Sequence, residues 1–146
     1  MKPVMGTSFQ DFNRNLIKDL RENKGKATSG PFQGRDVLIL TTKGAKSASE
    51  RENPLVYTRD GKHYVVIASK GGAPMHPSWF HNLVKHPEVT VEVGGERFKA
   101  RAHIPQADEY ERLYQQHAST NPQFLEYRQK TTRQIPVVVL ERLDHK

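Results

Sequence analysis

The sequence predicts an α+β domain whose mainly antiparallel sheet curls into a small barrel. Two glycine turns, Asp60-Gly61 and Gly94-Gly95, lie between apolar strand patterns, and turns of this kind join neighbouring antiparallel strands. Helical spacing occurs only near the chain ends and in one insertion, so hairpins dominate over strand–helix–strand units. A chain of 146 residues has the length of a single domain with its own core, and we expect residues 1–146 to form one.

Residues 1–34 predict an N-terminal helix and a loop. Ser8 begins the helix, and Asp11 stands three residues later, as in a capping box. One helical face is apolar and consists of Phe9, Phe12, Leu16, Ile17 and Leu20. This pattern indicates a helix that covers the core. The charged residues of the helix lean basic, which also permits contact with a membrane surface.

The barrel is expected in residues 35–146, with about six strands. These are predicted at 36–42, 53–59, 62–69, 88–93, 96–104 and 135–141. The apolar run that begins at Val37 is nearly continuous, which predicts a strand buried on both faces. The strand from Glu96 alternates instead, so we expect a basic outer face with Arg97, Lys99, Arg101 and His103.

Helices are expected between and after these strands. A short inserted helix carries Trp79, Phe80, Asn82 and Leu83, and a longer one spans 106–118. Pro122 then begins a second short helix, which carries Phe124 and Tyr127.

Composition excludes several classes of chemistry. The chain has no cysteine, which rules out disulfides, thiolate metal sites and cysteine nucleophiles. His76, His81 and His86 are spaced by five and cannot share a helical face, so no metal site is predicted. No apolar run approaches the roughly 20 residues of a membrane span, and no signal-peptide core is present, so we expect a cytoplasmic protein.

The net charge of +7 predicts attraction to anions. The basic residues are scattered and match no nucleic-acid motif, so we do not expect nucleic acid as a partner. The sequence does not specify an oligomeric state. It also lacks a GxSxG elbow, an SxxK motif, a P-loop and a GxGxxG turn. An enzyme on this chain must therefore take its reactivity from a bound redox cofactor.

Two loops have the residues for such a cofactor. Residues 68–83 combine Lys70, the pair Gly71-Gly72 and Trp79, which suits a flat, anionic, ring-bearing ligand. Residues 41–51 contain Lys43, Lys46, Arg51 and several hydroxyls, which are donors for a phosphate.

Three segments resemble the deazaflavin-dependent nitroreductase family, whose members use the reduced coenzyme F-420. They are LILTTKGAKS, RENPLVYTRDGKHYVVIASKGGAPMHPSWFHNLVKHPEV and residues 131–136. The resemblance extends over nearly the whole chain. It implies a split β-barrel with N-terminal, inserted and C-terminal helices. It also implies hydride transfer from the reduced deazaflavin to a quinone-like or nitroaromatic acceptor.

The resemblance implies a role for each site residue. The phosphate would be held by Lys46, Ser47 and Arg51. The deazaflavin would be lined by Pro54, Leu55, Val56, Ala68, Ser69, Lys70 and Gly71. The pocket would be closed by Pro77, Trp79 and Asn82, and the acceptor would face Phe124, Tyr127 and Lys130.

Three points remain open at this stage. The family loop Gly-Arg-Lys-Ser/Thr-Gly reads Gly44-Ala45-Lys46-Ser47-Ala48 here, and Lys43 is the cation that would compensate for the missing arginine. The product's proton would come from Tyr127, Ser69 or water. The main alternative function is an FMN- or haem-binding protein on the same split barrel.

Overall fold

The computed structural model describes residues 8–46 and 49–143, with four helices in them. These are α1 (Ser8–Glu22), α2 (Ser78–Lys85), α3 (Ala107–Thr120) and α4 (Gln123–Gln129). The strands are β1 (Val37–Lys43), β2 (Glu50–Val56), β3 (Thr58–Asp60), β4 (His63–Ile67), β5 (Glu88–Val93), β6 (Glu96–His103) and β7 (Val137–Arg142). Every strand pair is antiparallel. The predicted α+β class is confirmed.

The sheet closes on itself at Tyr57. The strand order is β2-β1-β5-β6-β7-β4-β3, so β2 and β3 lie at opposite edges although only one residue separates them in sequence. The sheet must therefore curl until its edges meet, and the Tyr57 N–H donates to Asp36 O at 3.0 Å beside the junction. The prediction of one strand over 53–59 was wrong, because this break divides it. The sheet has seven strands rather than about six.

Both predicted hairpins are present. Asp60 pairs with His63 across a turn in which Gly61 has a φ of 61°. Val93 pairs with Glu96 across Gly94 and Gly95, whose φ values are 60° and 85°. Left-handed φ values at the turn match the right-handed twist of the flanking strands.

The buried apolar side chains form three layers, one inside the barrel and two between the sheet and the helices. The barrel interior is filled from β1, β4, β5, β6 and β7, with Trp79 and Leu83 of α2 closing one side. A second layer packs β4 and β7 against α3 and α4. A third packs β1 against α1 through Leu16, Ile17 and Leu20. The apolar run of β1 is thus buried on both faces, as predicted, and that of β7 is buried as well.

Helix α1 covers the outer face of β1 and is fixed there by ion pairs. The Arg21 guanidinium lies 2.6 Å from Glu52 on β2 and 2.7 Å from Glu92 on β5. Hydrogen bonds from Arg21 hold the pKa of the Glu92 carboxyl below its usual value. The predicted covering role of this helix is confirmed.

The basic face of β6 is partly neutralised. Its cations point outward as predicted, but the register sets Glu92 opposite Arg97 and Glu88 opposite Arg101. Arg97 and Glu92 approach to 3.3 Å. The face therefore stays partly cationic.

Candidate active site

A cleft of about 1080 Å³ opens along edge strand β2, between α1 and α2. The strand divides the cleft because alternate side chains point to opposite faces. Arg51 pairs with Thr42 and points toward α2, where Trp79 and Asn82 also line the cleft. Glu52 points the other way and meets Arg21 of α1. The half next to α2 therefore contains three of the predicted cofactor residues, Arg51, Trp79 and Asn82.

Asn82 fixes the loop between β1 and β2. Its side chain is 6% exposed and makes hydrogen bonds at both ends. The Ala45 N–H donates to Asn82 Oδ1 at 2.9 Å, and Asn82 Nδ2 donates to Thr42 Oγ1 at 3.0 Å. The Gly44 N–H closes the loop on Ser49 O at 2.8 Å. Asn82 thus holds the predicted phosphate loop against α2.

The cations around this loop are exposed. Within residues 8–46 and 49–143, no ion pair is formed by Lys43, Lys46 or Arg51. Arg14 and Arg21 nearby are both paired with carboxylates. Lys18 of α1 also lines the cleft and forms no ion pair among the described residues, so unpaired cations lie on both sides of the cleft. Ser47, the remaining predicted phosphate ligand, lies outside the described residues.

The glycine loop consists of Lys70, Gly71 and Gly72, which all have positive φ values of 48°, 63° and 85°. Gly72 is buried, and a Cβ there would lie 2.9 Å from Tyr127 O and 3.0 Å from Lys130 Cβ. Gly71 is exposed, and a Cβ there would meet nothing within 4 Å. Gly72 lets α4 approach closely, and Gly71 leaves bare backbone facing open space.

Helix α4 is fixed to α3 by polar contacts. Tyr114 Oη donates to Phe124 O at 2.6 Å, and Arg128 lies 2.7 Å from Glu111. The Arg128 hydrogen bond is the largest cause that lowers the pKa of Glu111 to about 2. Burial raises the pKa of Tyr114 to about 12. These contacts set the position of Tyr127 and Lys130 beside the glycine loop.

Several predicted ring-lining residues share one cluster. Ala68 and Trp79 are buried in the barrel interior, and Leu55 packs against the same cluster. Ser69, which follows Ala68, is also buried, as is Pro77 just before α2. The structure therefore brings residues from β2, the end of β4 and α2 to one place.

Three predicted residues point elsewhere. The Val56 side chain packs toward α1 with the third apolar layer, and Pro54 lies on that same face of β2. Phe124 is 7% exposed and is packed in the second layer, beneath Tyr127, at a ring-centroid distance of 5.2 Å. Phe124 thus supports the half-buried Tyr127 ring from within the core.

Sequence reasoning assigned no role to Arg133 and His76. The Arg133 guanidinium lies 2.7 Å from His76 Nδ1 and donates to Ser69 O at 2.8 Å. Burial, then Arg133 and His81, lower the pKa of His76. The contact between Arg133 and His76 joins residues 57 positions apart, so no local sequence pattern predicts it. No group of three potential metal ligands occurs in the part of the chain that the structure describes.

A split barrel with an exposed cationic loop and a bare glycine turn has the features expected of a cofactor-dependent oxidoreductase. The family model for F420H(2)-dependent quinone reductase matches residues 12–142, and the chain belongs to that family. An F420H(2)-dependent quinone reductase of Mycobacterium tuberculosis is 44% identical over 108 residues, which are 72% of each chain.

Solved structures agree with this assignment. A structure named as an F420-H2 dependent reductase has a TM-score of 0.67 at 36% identity and covers 72% of this chain and 93% of its own. A second, described as a domain-swapped dimer, has a TM-score of 0.70 at 31% identity, with coverages of 90% and 98%. The predicted split barrel, the F-420 dependence and the oxidoreductase activity toward quinones are confirmed. The family assignment favours F-420 over the FMN- or haem-binding alternative.

Proposed function

We propose that reduced coenzyme F-420 binds between the β1–β2 loop and the glycine loop, and that its hydride passes to a quinone held beside α4. The proposal is supported chiefly by one observation. Asn82 connects the cationic loop to α2, and Trp79 of α2 shares a cluster with Ala68, which leads directly into the glycine loop. These contacts link the predicted phosphate loop to predicted ring residues, and this link supports the proposal.

The charges of the described residues fit an anionic coenzyme. By the family resemblance, the coenzyme carries a phosphodiester and an oligoglutamate tail. Lys46 and Arg51 are exposed and unpaired within the described ranges, so they are available to a phosphate without breaking an ion pair. Lys43 ends β1 next to the same loop and compensates for Ala45, where the family has arginine.

The shape of the glycine loop fits a flat ring. The open space above Gly71 lets a planar group lie against bare backbone, and Trp79 and Leu55 supply an apolar wall. When bound, the coenzyme supplies a hydride at C5 of the deazaflavin. The contribution of the chain is to hold donor and acceptor in register and to exclude water.

The acceptor side is assigned to Tyr127 and Lys130. Both lie against Gly72, and Lys130 Nζ is 6.0 Å from the Tyr127 ring centroid. We propose Tyr127 as the donor of the product's proton, because its ring is half-buried beside the loop whereas Ser69 is buried. Nitroaromatics are proposed as a second acceptor class, since they too are flat and gain negative charge on reduction.

Contact of the N-terminal helix with a membrane surface stays a prediction from sequence. Its apolar residues Leu16, Ile17 and Leu20 are buried against β1, whereas Phe12 is 37% exposed. None of the helices in the described ranges has the length and apolar content to span a bilayer. A cytoplasmic location stays a prediction from sequence.

A turnover assay tests the proposal. The protein is mixed with reduced F-420 and either a naphthoquinone or a nitroaromatic, and oxidation of the coenzyme is followed. We expect quinone-dependent oxidation that Tyr127→Phe slows. Absence of oxidation with any quinone would overturn the function. Oxidation by quinones alone would remove only the nitroaromatic class.

A further inference from the structure

Arg133 binds three acceptors of the segment that contains the glycine loop. Its Nε donates to Ala73 O at 2.9 Å, its Nη2 donates to Ser69 O at 2.8 Å, and its Nη1 lies 2.7 Å from His76 Nδ1. A longer contact of 3.4 Å reaches Ala68 O. One planar group thus spans the segment on both sides of the glycine turn.

The glycine loop needs such support. Lys70 has a φ of 48°, which is unfavourable for a residue with a side chain, and two left-handed glycines follow. Within the turn itself, the Gly72 N–H donates to Ser69 O at 3.0 Å and the Ala73 N–H donates to Lys70 O at 3.1 Å. Sparsely populated backbone conformations persist only where the surroundings determine them. The charge-assisted hydrogen bonds of Arg133 hold the glycine loop in this backbone conformation.

These contacts are specific to the loop. The described side-chain hydrogen bonds of Arg133 all go to residues 68–76, and none reaches α4 or β7, between which it lies. An arginine that served only to join helix and strand would bond to those elements. Its fork has the geometry to fix several acceptors at once, which a lysine ammonium does not.

We propose that Arg133 is a positioning residue: it sets the conformation of residues 69–72 and thereby the orientation of the bound deazaflavin for hydride transfer. The inference rests on the proposed coenzyme site. Arg133 acts through Ser69 and Ala73 and itself contacts neither coenzyme nor acceptor. The segment containing Thr131, Thr132 and Arg133, which the family resemblance singles out, thereby acquires a role.

Two variants and a control test this. Arg133→Met removes the fork but keeps the aliphatic stem, and Arg133→Lys also keeps the charge. Arg35→Met is the matched control, because Arg35 is also half-buried and donates to Asn121 Oδ1 at 2.7 Å, away from the loop. Amide hydrogen exchange of residues 69–76 is measured without coenzyme. Turnover with a naphthoquinone is then measured at saturating coenzyme.

In Arg133→Met we expect the Gly72 and Ala73 amides to exchange about tenfold faster, and kcat to fall about tenfold, the effect of losing one charge-assisted hydrogen bond. The quinone KM stays within about twofold, because the acceptor contacts lie on α4. Arg133→Lys shows the same changes and provides the test if the methionine variant does not fold. Arg35→Met leaves both quantities unchanged.

Two results would overturn the proposal. One is faster exchange with unchanged kcat, which would make Arg133 a brace without influence on hydride transfer. The other is wild-type behaviour of Arg133→Lys, which would remove the need for a planar fork. If the wild-type protein failed to bind F-420, the proposed function would fall, whereas the exchange experiment would still report on the loop.

Discussion

The Ala45 N–H donates a hydrogen bond of 2.9 Å to the side-chain oxygen of Asn82, 37 residues away in sequence. The other end of the same amide donates to Thr42, so β1 and the loop that follows it are both tied to α2. Asn82 is buried, and its amide oxygen and its amide nitrogen each already make a hydrogen bond within the protein. We therefore expect Asn82 to affect coenzyme binding through the loop that it holds.

Replacing Asn82 with alanine is expected to loosen this loop. The Ala45 N–H and the Thr42 hydroxyl lose a partner, which lowers the free energy of unfolding by about 1–3 kcal/mol. Coenzyme affinity falls as well, because Lys46 is no longer held in place. Urea unfolding and a coenzyme titration measure the two effects. Asn23→Ala, which removes hydrogen bonds at the exposed end of α1, is the control. Lost stability with unchanged affinity would show that the loop needs no clamp.

The two glycines of the loop are expected to respond differently to alanine. Both substitutions place a side chain in left-handed backbone, which costs roughly 1–2 kcal/mol. Gly72→Ala also sets a methyl group against the Tyr127 backbone, which adds about 1–3 kcal/mol of overpacking. Gly71→Ala meets open space in the protein but occupies the space proposed for the ring.

Thermal melts and coenzyme titrations of this pair distinguish the two positions. We expect Gly72→Ala to lose more stability, and Gly71→Ala to lose more affinity relative to its stability. If Gly71→Ala bound the coenzyme as the wild type does, the ring would have to lie away from this loop.

Phe124 and Tyr127 provide a comparison of core and pocket. Phe124 is packed in the second apolar layer, so Phe124→Ala should lower the free energy of unfolding by roughly 3–5 kcal/mol. Tyr127→Phe keeps the ring and removes the hydroxyl. It should lower turnover with quinones but change the coenzyme dissociation constant less than about twofold, a shift under roughly 0.5 kcal/mol. A thermal melt and kinetics on two acceptors separate the effects. Equal turnover by wild type and Tyr127→Phe would remove the hydroxyl from the mechanism.

His117 predicts a pH dependence of stability. The residue is fully buried, its Nδ1 lies 3.1 Å from Thr58 Oγ1, and its Nε2 has no hydrogen-bond partner among the described residues. Burial lowers the pKa of His117 from 6.5 to about 4. Between pH 6.5 and about 4, His117 is therefore protonated in the unfolded chain and neutral in the folded chain. The contribution of neutral His117 is fully present above pH 6.5 and is lost as the pH falls toward 4.

Between pH 7 and pH 4.5 this loss amounts to about 2–3 kcal/mol. His117→Gln should flatten the decline over this range, whereas His81→Gln, at an exposed position, should not. Urea unfolding at several pH values measures the slopes. Parallel slopes for the wild type and His117→Gln would contradict the account. Ion-paired carboxylates such as Glu111 affect stability mainly at lower pH.

Local patterns in the sequence predicted most of the fold. The bounds of β5 and the two glycine hairpins follow from alternation and turn residues, which act over a few positions. The break at Tyr57 was missed because no glycine or proline occupies the junction. It results from closure of the whole sheet: the first half of this segment pairs with β1 as β2, and the second half pairs with β4 as β3.

The candidate site divides in the same way. Lys46, Arg51 and the glycine pair stand out by residue type, and the resemblance assigned them roles. The residues that hold these loops in place do not stand out in the sequence, because the hydrogen bonds between Asn82 and Ala45 and between Arg133 and His76 form only after the chain has folded. Likewise, Phe124 and Tyr127 share a helical spacing, yet only packing against α3 determines which ring is buried.

The most direct measurement is a coenzyme titration of the wild-type protein and three single variants. Lys46→Ala and Arg51→Ala remove cations proposed to hold the phosphate. Lys62→Ala removes an exposed cation from the β3–β4 turn and serves as the control.

The wild-type protein should bind F-420 and bind FMN poorly. Loss of Lys46 or Arg51 should weaken F-420 binding by about 1–3 kcal/mol, the range for a hydrogen bond to a charged group, while Lys62→Ala binds as the wild type does. An effect confined to Arg51→Ala would place the phosphate on β2 rather than on the loop. Tight binding of FMN with none of F-420, or unchanged F-420 binding in both site variants, would contradict the central claim.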